Sequence, residues 1–454
     1  MRRIASSVTT RARCLLAGGL TAAVLGLVLG STDLLRAGCL ILVVPLVAYL
    51  VVSRSQVTIA SRRSVEPART SVGHDVGMQL TITNRSALPV GGLMLEDRLP
   101  DQLVGRVRFS LEGLRGREAR TIAYQLPTPR RGRYLCGPLK VRLTDPFGLI
   151  ELTRSFTAQS RFVVTPAVEL MPDARTPNSI DVGDNAGSHS IGSHGADDAS
   201  TREYRDGDDL RKIHWRSTAR TGTLMVRHEE RPRQSQVALL LDLRASAHEQ
   251  PIAPAMAGDP REASSLEWAV SAVASIGNEL LLARREVTLI ASSAADQRLA
   301  FGSSAEFVDH LADVAPNSQR DLTPLIPALR IAARECTVVA VLGTLEETSL
   351  QAIADARPRG SSAPAFAILI DQSSWARQRV STALDDIRPA PRETAAVTTE
   401  KIADTLRGAG WWVAIARAGD AIPATWTRLL RQRAFAISQA ESVAPEATRW
   451  RVRT

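Results

Sequence analysis

Residues 201–242 read TREYRDGDDLRKIHWRSTARTGTLMVRHEERPRQSQVALLLD and set the organisation of the whole chain. Gly207 permits a tight turn, and Asp208 or Asp209 can cap a short helix after it. The run 237–241 has no polar break, which is typical of a central parallel strand covered on both faces. The stretch therefore predicts a loop and a short helix that lead, through a strand at 224–230, into the first strand of a parallel sheet.

After Asp242, helical and strand patterns alternate. Further strands are predicted at 287–291, 337–342, 365–370 and 411–416, and helices at 264–284, 306–314, 323–334, 345–356, 398–406 and 425–434. Thr323 is expected to cap its helix, with Pro324 at the first helical position. This alternation predicts an α/β parallel-sheet domain of the Rossmann type at residues 236–440, followed by a tail at 441–454.

Short alternating stretches separated by turns occupy residues 56–170. Strands are predicted at 76–83, 90–95, 119–126, 137–143 and 161–165, a spacing that favours a β-sandwich. Phe147 follows a proline turn and is expected to tuck into the edge of this sandwich. Residues 171–200 are rich in Gly, Ser and Asp without an apolar period, so they are interpreted as a flexible linker.

The first 55 residues contain two apolar runs, 14–30 and 37–52. Each approaches the length that a membrane-spanning helix needs. Arginines flank both outer ends, among them Arg11, Arg54, Arg62 and Arg63. Basic residues at both outer ends predict a transmembrane hairpin whose ends lie in the cytoplasm, which places the remaining chain there too. A cleaved signal peptide is disfavoured, because a second apolar run follows at once without an A-x-A site.

The composition excludes several classes of protein. The formal net charge is +9, but the basic residues are nearly all arginine, and no basic run is interleaved with aromatic residues as stacking on nucleic acid requires. The four cysteines form no C-x-x-C pair, so neither a disulfide framework nor a zinc site is indicated. G-x-S-x-G, P-loop, H-E-x-x-H and dinucleotide-binding motifs are also absent.

The stretch at 201–242 also resembles the signature of the family named domain of unknown function 58. The matching residues are Arg202, Glu203, Tyr204, Gly207, Asp208, Asp209, Arg211, Ile213, His214, Trp215, Ala219, Arg220 and Leu224, and residues 144–149 match a second motif of the family. The resemblance implies two membrane helices, a β-sandwich, a signature segment at 201–235 and a von Willebrand factor A-like domain. It also implies genes for a MoxR-type AAA+ ATPase and often a transglutaminase-like membrane protein nearby, but no settled activity.

In von Willebrand factor A domains, a D-x-S-x-S pattern at the first strand end binds Mg²⁺ through one carboxylate and two hydroxyls. Here Asp242 and Ser246 match, but Arg244 replaces the first hydroxyl. A guanidinium at that position repels a cation and can pair with Asp242 instead. We therefore expect a degenerate metal site, with no metal and no cofactor.

The combination of a tether, a protein-binding fold and no catalytic set favours a protein-interaction or assembly factor over an enzyme. The expected partner is a MoxR-type ATPase, docked through signature residues Arg202, Tyr204, Gly207, Asp208, Asp209, Arg211, His214, Trp215 and Arg220. Trp215 is expected to pack under the sheet. Two alternatives remain open: a hydrolase that uses His214 with Asp208 and Asp209, and a purely structural scaffold.

Overall fold

The computed structural model describes residues 8–87, 89–103, 105–145, 147–171, 201–204, 213, 215–227, 236–249, 260–291, 298–358, 361, 363–383 and 394–443. The chain divides into two compact units. The first comprises Met1–Ala167 with Pro251–Pro260 and Asp309–Val314, and the second comprises the remaining residues. The boundaries drawn from the sequence for the linker, the signature segment and the tail stay predictions.

Two apolar helices open the first unit, α1 (Thr10–Val28) and α2 (Thr32–Thr58). The Thr9 hydroxyl accepts the Ala12 N–H at the start of α1. The helices approach closely at Gly38, where an added Cβ would lie 2.5 Å from the backbone nitrogen of Ala23. Both helices are long and apolar enough to cross a membrane. The predicted pair of N-terminal apolar helices is therefore confirmed.

A strand-rich region follows and forms three sheets, ordered β1-β3-β6, β5-β4-β8-β9 and β2-β10-β7. The strands are β1 (Ile59–Glu66), β2 (Arg69–Ser71), β3 (Val76–Asn84), β4 (Leu93–Arg98), β5 (Arg106–Leu111), β6 (Ala119–Leu126), β7 (Gly132–Cys136), β8 (Leu139–Thr144), β9 (Glu151–Phe156) and β10 (Ser160–Thr165). In β3, alternate residues from Val76 to Ile82 are buried, which is the period-2 pattern of a strand with one face in a core.

Two apolar clusters fill this region. One joins Leu80 of β3, Leu95 of β4 and Val141 of β8 to Ala12 and Ala48 of the two helices. The other surrounds Met78, Tyr134 and Phe162 and contains no residue of either helix. The helical hairpin and the first cluster thus share one core, and the second cluster lies apart from the hairpin.

The expectation for Phe147 is wrong. Phe147 is not tucked into an edge but is 68% exposed, because Leu149 and Ile150 fill the core instead. Arg63, one of the arginines after the second apolar run, has its guanidinium buried against the carboxylate of Asp97.

The second unit contains a two-stranded antiparallel ribbon, β11 (Thr201–Glu203) with β12 (Met225–Arg227), and one six-stranded sheet. The six strands are β13 (Gln236–Leu241), β14 (Glu286–Ala291), β15 (Arg298–Phe301), β16 (Thr337–Leu342), β17 (Ala365–Ile370) and β18 (Trp412–Ala416), in the order β15-β14-β13-β16-β17-β18. All neighbouring pairs are parallel except β14 with β15.

The helices after the hairpin are α3 (Trp215–Thr221), α4 (Pro260–Ala263), α5 (Ser265–Leu282), α6 (Ser304–Asp313), α7 (Ile326–Glu335), α8 (Glu347–Ala354), α9 (Gln372–Ala383), α10 (Thr394–Gly408) and α11 (Ile422–Val443). The expected cap at Thr323 is wrong, because Thr323–Leu325 forms a 3-10 turn and α7 begins at Ile326. Pro327 lacks the N–H that would bond to Thr323, and Ile326 donates to that carbonyl instead.

Candidate functional site

Polar residues end four neighbouring strands at the carboxyl edge of the six-stranded sheet. Asp242 follows β13, Gly343 and Thr344 follow β16, Asp371 follows β17, and Arg417 follows β18. The strand order reverses between β13 and β16, since β14 lies on one side of β13 and β16 on the other. Open α/β sheets bind ligands in the crevice at such a reversal. This edge is therefore the candidate site.

A buried ion pair forms the floor of the site. The Arg244 Nε lies 3.0 Å from Asp242 Oδ1, and its Nη2 lies 2.7 Å from Oδ2. The two side chains are 2% and 0% exposed. The backbone N–H groups of Arg244 and Gly343 also donate to the carboxylate, at 3.1 and 3.2 Å. Asp242 thus accepts four hydrogen bonds, two of them from a bidentate guanidinium.

The same guanidinium ties adjacent loops together. Arg244 Nη1 donates to the Arg320 carbonyl at 3.2 Å, and Nη2 donates to the Thr344 carbonyl at 2.9 Å. Ser246, the remaining match to the metal-binding pattern, is exposed in the 3-10 turn Ala245–Ala247. The donor set does not fit Mg²⁺, because the arginine already supplies the positive charge that Asp242 requires. Among the described residues, no group of three or more His, Cys, Asp or Glu side chains lies close enough to hold a metal.

A buried histidine, which the sequence analysis did not single out, is hydrogen-bonded to the backbone of Asp242. His248 Nε2 lies 2.8 Å from the Asp242 carbonyl, and Nδ1 lies 3.3 Å from the Ser265 hydroxyl. Burial lowers the pKa of His248, so the ring is neutral, with Nε2–H donating and Nδ1 accepting. Ser265 is fully buried, accepts the Glu249 N–H at 2.9 Å and cannot reach a substrate. The Ser-His pair is therefore structural.

Around this floor lies a polar rim, defined as Glu249, Thr344, Gln372, Arg377 and Arg417, in which Glu249 and Gln372 are half-buried and the other three are exposed. The Thr344 hydroxyl donates to Gln372 Oε1 at 3.0 Å, and Gln372 Nε2 donates to Glu249 at 3.3 Å. The side chains of Arg377 and Arg417 are each 59% exposed, at 3.6 and 3.7 Å from Asp371 Oδ2. The rim thus presents both signs of charge on a rigid base.

Asp371 anchors the arginine side of the rim. Its carboxylate is buried and accepts the Ser373 hydroxyl at 2.6 Å, while its N–H donates to Ala416 at the end of β18. The sequence carried a signal for this residue, because an Asp-x-Ser triplet directly follows an apolar strand here, as Asp242 follows β13.

The signature residues that the structure describes form a separate small substructure. Tyr204 donates its N–H to Leu224 at 2.8 Å, Ile213 bridges to Val226, and the Thr218 hydroxyl accepts the Met225 N–H at 3.0 Å. These contacts hold β11, β12 and α3 together. Arg202 lies in β11 and Arg220 in the last turn of α3.

The expectation that Trp215 packs under the sheet is wrong. Its side chain is 69% exposed at the start of α3, a seven-residue helix with no buried residue. Gly207, Asp208, Asp209, Arg211 and His214 lie outside the described residues. Their docking role and the hydrolytic alternative at His214 therefore stay predictions.

Comparison with known proteins places this part of the chain in context. Residues 200–343 match the model of the family described as Protein of unknown function DUF58, which confirms the resemblance over the signature, β13 and β16. The uncharacterized protein YeaD of Bacillus subtilis is 25% identical over 185 residues, which are 40% of this chain and 46% of that protein. The match thus spans less than half of the relative's length.

Similarity to solved structures is low. A CARDB domain from Pyrococcus furiosus is 11% identical with a TM-score of 0.19, and the match covers 24% of this chain and 94% of that domain. A β-glucosidase from Listeria innocua is 14% identical with a TM-score of 0.14, over 22% of this chain and 16% of the enzyme.

Proposed function

We propose that this chain, whose residues 200–343 match the family DUF58, is a membrane-tethered protein-interaction or assembly factor that binds a partner protein through the polar rim. The observation that carries the proposal is the Asp242–Arg244 pair. The Arg244 guanidinium occupies the floor of the crevice at which the strand order reverses. A partner would therefore be bound by the side chains of the polar rim around this floor. Mixed charges on a fixed base suit recognition of a folded partner with complementary charges.

The architecture supports a finer assignment of the two units. We interpret the strand-rich region as a β-sandwich, because facing sheets share apolar clusters. We interpret the six-stranded sheet as a von Willebrand factor A-like domain, because of its strand order and because Asp242 and Ser246 keep the spacing of that fold's metal site. In this interpretation Arg244 has replaced the metal as the central charge.

The two apolar helices provide the tether, and we propose that both units face the cytoplasm. Arg11 and Arg13 lie at the start of α1, and Arg54 lies near the end of α2. Basic residues at both outer ends of a hairpin favour retention of those ends on the cytoplasmic side. A cytoplasmic partner would then reach the rim.

The proposed partner is a MoxR-type AAA+ ATPase, with a transglutaminase-like membrane protein as a second member of the assembly. This part of the proposal rests on the resemblance to the family. The chemistry of the rim sets what the partner must offer: a carboxylate for Arg377 or Arg417, and a donor for Glu249. The task of the assembly would be to build or activate a membrane or envelope complex.

Capture from native membranes tests this proposal. The tagged full-length chain is solubilised and purified with and without ATP, and bound proteins are identified by mass spectrometry. We expect an AAA+ ATPase to be enriched with the wild-type chain and lost with a folded Gln372→Ala/Arg417→Gln double variant. Arg407→Gln is the matched control, because Arg407 is an exposed arginine at the end of α10, before β18, and pairs with Asp404 at 2.7 Å.

Two outcomes would contradict the proposal. If the double variant retains the ATPase as well as the control does, the rim is not the docking surface. If no protein is captured by the wild-type chain, with or without ATP, the interaction role itself fails. A parallel His214→Ala variant tests the predicted contribution of the signature, and loss of the ATPase only in that variant would move the docking surface there.

A further inference from the structure

Phe147 stands out because the chain holds this large apolar side chain in solvent on a rigid turn. Other aromatic residues of the unit, such as Phe162, are buried. The turn at residues 145–150 is fixed by the buried Asp145, whose carboxylate accepts the N–H groups of Phe147, Leu149 and Ile150 at 3.0, 2.6 and 2.6 Å. The backbone that carries Phe147 is therefore fixed by a buried carboxylate.

The same turn is bonded to the residue that begins the first apolar helix. Thr9 donates its N–H to the Leu149 carbonyl at 3.0 Å, and its hydroxyl contacts the Gly148 and Leu149 carbonyls at 2.9 Å each. Val8 forms an antiparallel bridge with Ile150. A Cβ at Gly148 would lie 3.4 Å from an Arg11 guanidinium nitrogen, so Arg11 lies beside the turn. Phe147 is thus held next to the start of α1.

The second apolar helix adjoins the same place through Ala48. Ala48 shares the apolar cluster of Leu149 and Ile150. The neighbouring helix residues Leu46, Val47 and Leu50 are exposed, as are Leu15 and Leu16 of α1. Exposed apolar residues of both helices and the exposed Phe147 therefore lie near the same end of the hairpin.

We propose that the turn at residues 145–150 is a lipid-contact site, at which Phe147 enters the interface of the bilayer and Arg11 lies among its headgroups. The inference rests on the proposed membrane tether. A spanning α1 that begins at Thr10 crosses the headgroup region within its first turns, since the helix rises about 1.5 Å per residue. Phe side chains of interfacial segments are buried at the boundary between headgroups and acyl chains, and arginines there are attracted to anionic lipids.

This contact gives the tether an orienting function. The helices alone fix the depth of the chain, whereas a third point of contact on the strand-rich region restricts its tilt at the membrane surface. The occupant is lipid rather than protein, because the turn that carries Phe147 is bonded to Thr9 at the start of an apolar helix, on which Leu15 and Leu16 are exposed.

Bromolipid quenching in reconstituted membranes tests the proposal. The chain, with Cys14→Ser and Cys39→Ser, carries a single environment-sensitive fluorescent label on the cysteine of Phe147→Cys. It is placed in nanodiscs of phosphatidylcholine and phosphatidylglycerol. Cys136 and Cys336 are buried, and burial raises the pKa of Cys136 to about 11, so neither competes for the label. We expect a blue-shifted emission and a loss of intensity with lipids brominated near the headgroup.

Two further positions separate the possible results. A label through Leu27→Cys, on the exposed face of α1, reports the tether. A label through Leu135→Cys lies on the exposed face of β7, between Tyr134 and Cys136 of the second apolar cluster. Quenching at positions 27 and 147 but not at 135 supports the proposal. Quenching at 27 alone overturns it while the tether stands, and no quenching at 27 overturns both. A blue shift at 147 that depends on protein concentration and not on bromolipid would instead indicate a second copy, and would also overturn it.

Discussion

If either Arg244 or Asp242 loses its partner, the remaining charge is buried and cannot be hydrated by solvent. Both side chains are almost fully buried, and each satisfies the charge of the other. Removing one member of such a pair leaves an uncompensated buried charge, which costs far more than the pair contributes as a whole.

Arg244→Ala is therefore expected to lower the free energy of unfolding by about 3–5 kcal/mol. Arg377→Ala, which removes an exposed arginine from the same edge, is expected to cost less than about 1 kcal/mol. Urea denaturation of the detergent-solubilised chain, followed by tryptophan fluorescence, measures both. Equal stability of the two variants would show that the pair does not hold the floor of the site together.

His248 gives the site a dependence on pH. Burial lowers its pKa below the ordinary value of 6.5, so the unfolded chain binds a proton at a higher pH than the folded chain does. The stability that the neutral ring contributes is fully present above about pH 6.5 and falls as the pH drops towards the folded pKa.

His248→Gln keeps an N–H that can reach the Asp242 carbonyl but does not titrate. We expect the melting temperature of the wild-type chain to fall more between about pH 7.5 and pH 5.5 than that of the variant. Thermal denaturation at the two pH values measures the difference. Parallel losses in both chains would assign the pH dependence to other groups.

At the scale of elements, the sequence pattern predicted the strands better than it predicted the ends of helices or the exposure of aromatic residues. The apolar runs 337–342 and 365–370 coincide with β16 and β17, because a strand covered on both faces leaves a continuous apolar signature. Phe147 and Trp215 were expected to be buried and are exposed. Hydrophobicity alone does not show which of several neighbouring apolar residues fills a core.

In the candidate site, contacts between residues close in sequence could be predicted, and contacts between distant elements could not. Asp242 and Arg244 are two residues apart, so their pairing was accessible from sequence. Arg417 reaches Asp371 only because β17 and β18 are neighbours in the sheet, which no local pattern reveals. His248 was missed for a similar reason, since its partner Ser265 lies on α5.

The turn at residues 145–150 depends on one carboxylate. Asp145→Ala removes the acceptor of three backbone N–H groups, and a hydrogen bond to a charged group contributes about 1.5–3 kcal/mol. We expect the variant to lose at least about 2 kcal/mol of stability and to become sensitive to proteolysis at this turn. Asp101→Ala, at an exposed turn, is the control and is expected to change stability by less than about 0.5 kcal/mol. Equal protease resistance of the two variants would argue against the rigid turn.

At the scale of the molecule, the two apolar helices and the strand-rich region belong to one unit and share an apolar cluster that contains Ala12 and Ala48. The second unit carries the rim. In the proposed function, the first unit provides membrane attachment and the second unit provides recognition of the partner.

The affinity of the captured partner for the purified full-length chain tests the central proposal most directly. Biolayer interferometry in nanodiscs compares the wild-type chain with the Gln372→Ala/Arg417→Gln double variant and with Arg407→Gln. We expect the double variant to weaken binding at least about tenfold, or about 1.4 kcal/mol, and added salt to reduce the difference. Arg407→Gln should bind like the wild-type chain. Equal dissociation constants for all three proteins would contradict a docking role for the carboxyl edge of the sheet.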